Sequence, residues 1–406
     1  MKTYLKDYNL SVERVEEAIY DCLRRKWKRT DVSYFLAEYH KKPCDNLHKV
    51  AKECKKIASN KDTRHLLKDT IHKAAESIYL EIKERRIELQ PIEYQYRYDH
   101  ASQKLREVGI SSIKQQVYDY IAINACRKML FAKIGYYQCA SIPGRGQIFG
   151  KKAIEKWIRK NPKDTRFFYK CDIRKYYPSV NIRKLKRLLR RDIRNRDILY
   201  VIYYLLGTYK AGLCIGSYLS QFLANYFLSY AYHFITENSY VIRVKKTGER
   251  IRINCVKKVL FYMDDIILFS SSLKLLKKAI RDFCAYIQDT LILDIKAGSQ
   301  FAETSTTRID MMGYVISIKN TIIRKRIYKK VFRSFLRAHR NKSYHSLYLA
   351  RRTLSFYGYI KNSDLYQFVE RFHIQDTVNK LRKVVSQYDK KRIYRETGKL
   401  QLLSAA

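Results

Sequence analysis

Val259-Leu-Phe-Tyr-Met-Asp-Asp-Ile-Ile-Leu-Phe-Ser270 sets two adjacent acids, Asp264 and Asp265, between two apolar runs. Each run alone reads as a buried strand. Together they read as a hairpin with Met263-Asp264-Asp265 at its turn. Two carboxylates side by side at the tip of a buried strand pair repel and raise each other's pKa. A bound divalent cation removes that cost. An Asp-Asp pair by itself is more often a solvated turn, so the reading needs a second acid from elsewhere in the chain.

Phe167-Phe-Tyr-Lys-Cys-Asp-Ile-Arg-Lys-Tyr-Tyr-Pro-Ser179 supplies it: a strand ending at Asp172, then a tight bend. As a lone strand-end acid, Asp172 would be read as a cap. Tyr262-Met-Asp-Asp265, however, resembles the YMDD motif C of reverse transcriptases. The stretch around Asp172 resembles polymerase motif A, with Tyr177 five residues after the acid. The resemblance implies a catalytic centre in which Asp172, Asp264, Asp265 and the Ile173 carbonyl hold two Mg²⁺, with Mn²⁺ as an alternative. One metal activates a primer hydroxyl and the other neutralises the leaving pyrophosphate. It also implies that Tyr177 lies under the incoming sugar and clashes with a 2′-hydroxyl, selecting deoxynucleotides.

Further segments resemble the same family in the same order. Lys104-Leu-Arg-Glu-Val-Gly-Ile110 alternates as a strand and precedes a helix that Ser111 or Ser112 can start, running to about Phe131. It resembles the fingers of intron- and retron-type enzymes, which implies that Arg106, with Lys104, holds the incoming triphosphate. Such a ligand needs cationic donors, and a guanidinium can fork onto its oxygens; the plain alternative is an exposed strand arginine. Gly144-Arg-Gly146 permits close backbone approach and resembles the P-G-R-G segment of bacterial reverse transcriptases, implying template or primer contact. Gly212-Leu-Cys-Ile-Gly-Ser-Tyr-Leu-Ser-Gln221 is a glycine turn feeding an apolar helix and resembles motif B, which implies nucleotide contact at Ile215, Gly216 and Gln221. Cys214 and Ile215 stand where most such enzymes carry Pro and Gln. This variant looks like the diversity-generating-retroelement and unassigned bacterial lineages, and the missing Gln implies reduced fidelity. Lys296 matches a motif D lysine, a candidate general acid and so a further catalytic residue. Met311-Met-Gly-Tyr-Val315 resembles the primer grip, implying template or primer contact at Gly313 and Tyr314, beside Tyr262 and Met263.

Composition agrees with a polyanionic partner. Of 406 residues, 83 are Lys or Arg and 38 Asp or Glu, a net charge of +45 spread along the chain. A field of that size points to nucleic acid. No apolar stretch has spanning length, so no membrane partner is expected. Nine cysteines, without a Cys-x-x-Cys, favour free thiols in a reducing compartment over disulfides or a zinc ribbon. With no apolar leader after Met1, a cytoplasmic protein, bacterial or phage-encoded, is expected.

The expected fold class is α+β, a right-hand polymerase with fingers, a ferredoxin-like palm and a helical thumb. The expected divisions are an N-terminal helical extension over 1–90, fingers and palm over 91–320, thumb over 321–390 and a basic, frayed tail over 391–406. Helices are expected over Val12–Trp27, Asp45–Ala58 and Asp62–Leu89, the last ended by Pro91; over basic Asn181–Leu206; and from Thr321 onward. Tyr240–Lys246 and Arg250–Val256 read as a basic β-hairpin, either a plain surface feature or a guide for duplex phosphate or a partner subunit. The expected activity is RNA-directed DNA polymerase, making cDNA from a dedicated, structured non-coding RNA and dNTPs, in antiviral defence. Retroelement diversification, with an accessory protein or an oligomer, is the alternative. Template-independent nucleotidyl transfer and an RNA-binding scaffold also stay open.

Overall fold

The computed structural model describes residues 3–42, 45–99, 104–340 and 346–404, with side chains through Asp389. Cys44 lies outside the described residues. Four helices come first: α1 (Val12–Leu23), α2 (Thr30–His40), α3 (Leu47–Ser59) and α4 (Lys68–Lys83). Strands β1 (Glu93–Asp99) and β2 (Lys104–Ile110) follow, then α5 (Ile113–Lys133), β3 (Gln138–Cys139) and α6 (Gln147–Lys160). Next are β4 (Phe167–Asp172), the single turn α7 (Tyr176–Ser179), α8 (Ile182–Asp192), α9 (Arg196–Gly207) and α10 (Tyr218–His233). Then come β5 (Tyr240–Val244), β6 (Arg250–Asn254), β7 (Lys258–Tyr262), β8 (Asp265–Ser270), α11 (Leu273–Ala285) and β9 (Gln300–Glu303). The chain ends with β10 (Ile309–Met311), β11 (Tyr314–Ile316), β12 (Thr321–Ile323), α12 (Lys325–His339), α13 (Leu347–Lys361), α14 (Tyr366–Arg371) and α15 (Ile374–Ser404). Helices and strands occur in both halves of the chain.

The chain forms two compact units. The first comprises 1–143, 169–268 and 274–300; the second comprises 144–168, 269–273 and 301–406. In the first, β3, β7, β8 and β4 lie side by side in that order. β3 runs parallel to β7, pairing Gln138 with Phe261 and Cys139 with Tyr262. α5 and α10 pack together beneath, each buried along most of its length. The N-terminal helices belong to this unit: α1 packs on α4 and α5, and Glu81 of α4 accepts from Lys114 Nζ and Tyr118 Oη. In the second unit, β10, β11 and β12 form an antiparallel sheet. Its helices close over Ile327, Val331, Phe335, Phe368 and Val378.

Local chemistry explains most element starts. Ser11, Asn46, Ser112, Asn181, Asn195 and Ser217 each accept a backbone N–H of the first helical turn, leaving fewer orphan donors. Several expectations need correction. The expected helix over 181–206 breaks into α8 and α9 because the N-terminal segment pairs there: Tyr4 N–H donates to Asp192 O and Arg194 N–H to Tyr4 O. α4 stops at Lys83, well before Pro91; Arg85 turns left-handed (φ 60°) and pairs with Asp197 while lying over the Tyr200 ring. α2 was not anticipated. Thr321–Ile323 is a strand, β-branched at every position. Backbone helix continues through the expected tail to Ser404.

Candidate active site

The two acid-bearing segments come together in the first unit. β7 and β8 form the expected hairpin, and Met263 at its tip is left-handed (φ 54°). Three polar contacts fix that strained tip. Ile173 N–H, just past the end of β4, donates to Asp264 O at 3.1 Å. Met263 N–H donates to Cys139 O at 3.4 Å. Asn225 Nδ2, buried on α10, reaches Met263 Sδ at 3.4 Å and Ala140 O at 3.1 Å. On the other side of Asp172, the chain at 294–296 pairs with 172–174: Lys296 N–H donates to Asp172 O and Arg174 N–H to Asp294 O, both at 2.8 Å. Asp172 is thus clamped between the hairpin tip and the Lys296 segment.

The carboxylates have unequal surroundings. Asp172 Oδ2 lies 3.6 Å from Lys296 Nζ, and Asp265 Oδ1 lies 3.5 Å from Lys170 Nζ. Burial pushes the Asp264 carboxyl up to about 6, helped by the charges of Asp172 and Asp265 and by the hydrogen bond its protonated form donates to the Asp172 carboxylate. Two half-buried carboxylates in contact repel each other, a cost that a divalent cation between them would remove. Asp172 and Asp264 therefore fit a divalent cation by charge and donor type. Among the described residues no set of three His, Cys, Asp or Glu side chains has metal-site geometry. Asp265 pairs with Lys170, and its charge also acts on Asp264. Ile173 is buried, and its N–H is spent on Asp264.

Tyr177 stands next to this pair. Its hydroxyl pKa is raised by burial and then by the Asp264 charge. Tyr176 packs edge-on against it and donates to Ala224 O at 2.6 Å. The Tyr177 carbonyl accepts from Leu213 N–H at 2.8 Å, so the glycine turn touches the bend that carries the tyrosine.

That turn also meets the β1–β2 ribbon. Gly109 N–H donates to Ile215 O at 2.8 Å. Gly216 is at φ 113°, where a Cβ would stand 2.3 Å from Gly109 O. The glycine is thus demanded by backbone packing. Its neighbour Ser217 caps α10 and donates to Asp119 Oδ2, as does Tyr218 N–H. Gln221 lies one turn before Asn225, whose Nδ2 also contacts Gln221 O. On the ribbon, Lys104 and Arg106 are exposed, and Arg106 Nε sits 3.3 Å from Asp99.

The remaining expected residues lie in the second unit. Gly144 is left-handed, and no atom lies within 4 Å of a Cβ built on Gly144 or Gly146; Arg145 immediately precedes the Gly146 cap of α6. In the same unit Gln147 Nε2 donates to Met312 O and reaches Tyr359 Oη, beside the left-handed Gly313 (φ 80°). The start of α6 and the Met312–Gly313 turn are therefore neighbours. Tyr314 is 1% exposed, its ring turned inward by β11 and packed against Tyr359 with Lys151 over it.

Sequence reasoning missed Asn225 and Lys170. Asn225 had a signal, a second side-chain amide one turn after Gln221 in an otherwise largely apolar helix. Lys170 had only its spacing of two from Asp172, which places both on one face of β4.

No protein-family profile matches the chain, and no curated protein matches it in sequence. Solved structures that resemble it include apo telomerase from Candida tropicalis truncated from the C-terminal domain (TM-score 0.39, 14% identity, over 58% of this chain and 54% of that one). Another is telomerase from Candida albicans in complex with a TWJ fragment of telomeric RNA (TM-score 0.42, 12% identity, over 76% of this chain and 62% of that one). The chain thus spans less than two thirds of either structure. A likeness at this level decides neither fold nor activity. No described helix is long and apolar enough to cross a membrane.

Proposed function

We propose that the chain is an RNA-directed DNA polymerase with fingers, palm and thumb, making cDNA from a dedicated non-coding RNA. The observation that carries the reading is the Asp172–Asp264 pair, two carboxylates from separate strands held in contact with one pushed up to about 6. Mg²⁺ ions bound there would activate the primer hydroxyl and neutralise the pyrophosphate. Asp172 and Asp264 would hold them, with the Ile173 carbonyl as a further donor and Asp265 approaching from Lys170. Lys296 Nζ, 3.6 Å from Asp172 Oδ2, would give a proton to the leaving group. The Tyr177 ring would face the sugar and exclude a 2′-hydroxyl. Lys104 and Arg106 would hold the triphosphate.

The test is sugar selectivity. Wild-type protein should extend a primer on an RNA template with dNTPs and reject rNTPs, and Tyr177→Val should admit rNTPs at least tenfold better. Equal discrimination by both proteins would contradict the role of Tyr177, and no extension by either would contradict the polymerase reading.

The setting we assign is a bacterial or phage antiviral defence system, on the length of the N-terminal helical region. Ile215 favours a second reading, error-prone copying in a diversity-generating retroelement. Its aliphatic side chain offers no polar contact to a base where the resemblance implies a glutamine. Ile215→Gln should then lower misincorporation severalfold, and equal error rates would remove that reading.

A further inference from the structure

The β5–β6 ribbon is left over once the site has been described. Its outward face is unusual. Directly opposed residues share a face of an antiparallel pair, and the register opposes Tyr240 to Asn254, Ile242 to Arg252 and Val244 to Arg250. On β5 this face shows Tyr240, Ile242 and Val244, which are 36%, 55% and 59% exposed. On β6 it shows exposed Arg250, Arg252 and Asn254. The opposite face carries the half-buried Val241, Ile251 and Ile253. The ribbon thus half-buries one face, which Arg243 shares, and leaves a second, apolar row in water, bordered by arginines.

Its charge is one-sided. Arg243, Lys245, Lys246, Arg250 and Arg252 stand against a single acid, Glu249, and Glu249 is paired with Lys245 at 2.7 Å. Arg252 is already stacked on the Tyr240 ring, 3.9 Å from its centroid. An isolated two-stranded ribbon is marginal in water. This one is tied at its base, where Cys255 N–H donates to Ser239 O and Ser239 Oγ to Asp282.

Position separates it from the acids. The ribbon leads into the start of β7, whereas Asp264 follows its end, about 17 Å away along the strand. α10 likewise begins at the glycine turn and runs about 24 Å toward the ribbon.

We propose that this ribbon is a second nucleic-acid-binding surface, which grips an A-form RNA stem outside the polymerising site. An A-form duplex presents a wide, shallow minor groove lined by sugars and bordered by phosphates. The Tyr240–Ile242–Val244 row would lie on the sugars, and Arg250 and Arg252 would reach phosphates along one edge. Lys245 and Lys246 at the tip would reach the other edge. The proposal rests on the polymerase reading only in taking RNA as the chain's partner.

The test uses the full chain and a blunt RNA stem of about 20 base pairs. Arg250→Ala/Arg252→Ala should weaken stem binding about tenfold and flatten the dependence of log affinity on log salt by about two. Extension of a short template–primer should stay at the wild-type rate. In the wild-type protein, a photo-crosslinkable stem should attach at Tyr240, a readout that needs no variant to fold. Unchanged affinity and slope with no crosslink in the ribbon would overturn the proposal. So would a double variant that keeps stem binding but loses self-association or a protein partner, since the face would then be a protein interface. If the wild type binds the stem through the ribbon yet extends no primer, the polymerase reading fails and this one stands.

Discussion

Asp264 is the residue on which cost and purpose meet. It is half-buried, and the charges that act on it most are the carboxylates of Asp172 and Asp265, while Lys296 and Lys170 lie on those two acids. Its ionised form therefore destabilises the metal-free fold. Asp264→Asn should raise the melting temperature by about 2–4 °C at pH 8 without divalent metal, measured by calorimetry, while abolishing nucleotide incorporation. A lowered melting temperature would mean that the carboxylate has a stabilising partner. Asn225 acts one step behind, as a positioning residue. Asn225→Ala removes the amide that ties Ala140 O and Met263 Sδ and should cost about 1–3 kcal/mol in a denaturant melt. It should also lower kcat more than KM for dNTP, whereas a purely structural role would leave kcat per folded molecule unchanged.

At the scale of elements, the glycine turn before α10 is the junction that ties β2, α5 and the Tyr177 bend together. Gly216→Ala would force a Cβ into Gly109 O at a left-handed φ, and should destabilise by about 2–3 kcal/mol or more. Asp119 lies under the same turn, and burial pushes its carboxyl up to about 7 despite donors from Ser217, Tyr218 and Leu219. The folded state therefore keeps this proton where an unfolded Asp has lost it. Its contribution is full below about pH 4 and is lost as pH rises through about 7. Asp119→Asn keeps an acceptor for Ser217 and should flatten that part of the stability–pH curve. An unaltered curve would show that the group ionises freely. The strands and the acids at their ends were legible because apolar runs and turn residues are local signals. Local text could not show that Asn225 reaches the hairpin tip, that Tyr4 splits α8 from α9, or that Tyr314 faces inward. Each depends on a partner far away in the chain.

At the scale of the molecule, a net charge of +45 makes nucleic-acid affinity steeply salt-dependent. Each phosphate neutralised should add close to one to the slope of log affinity against log salt. Composition points to such a partner without placing it; the addresses proposed for it are Arg250 with Arg252 and Lys104 with Arg106. The measurement closest to the central claim is single-turnover incorporation of one dNTP on a defined RNA template with Mg²⁺, comparing wild type with Asp172→Asn and Asp264→Asn. The account predicts incorporation by wild type only, lost on chelation, with each variant down at least a thousandfold, about 4 kcal/mol in the barrier. Incorporation that survives either substitution would contradict it.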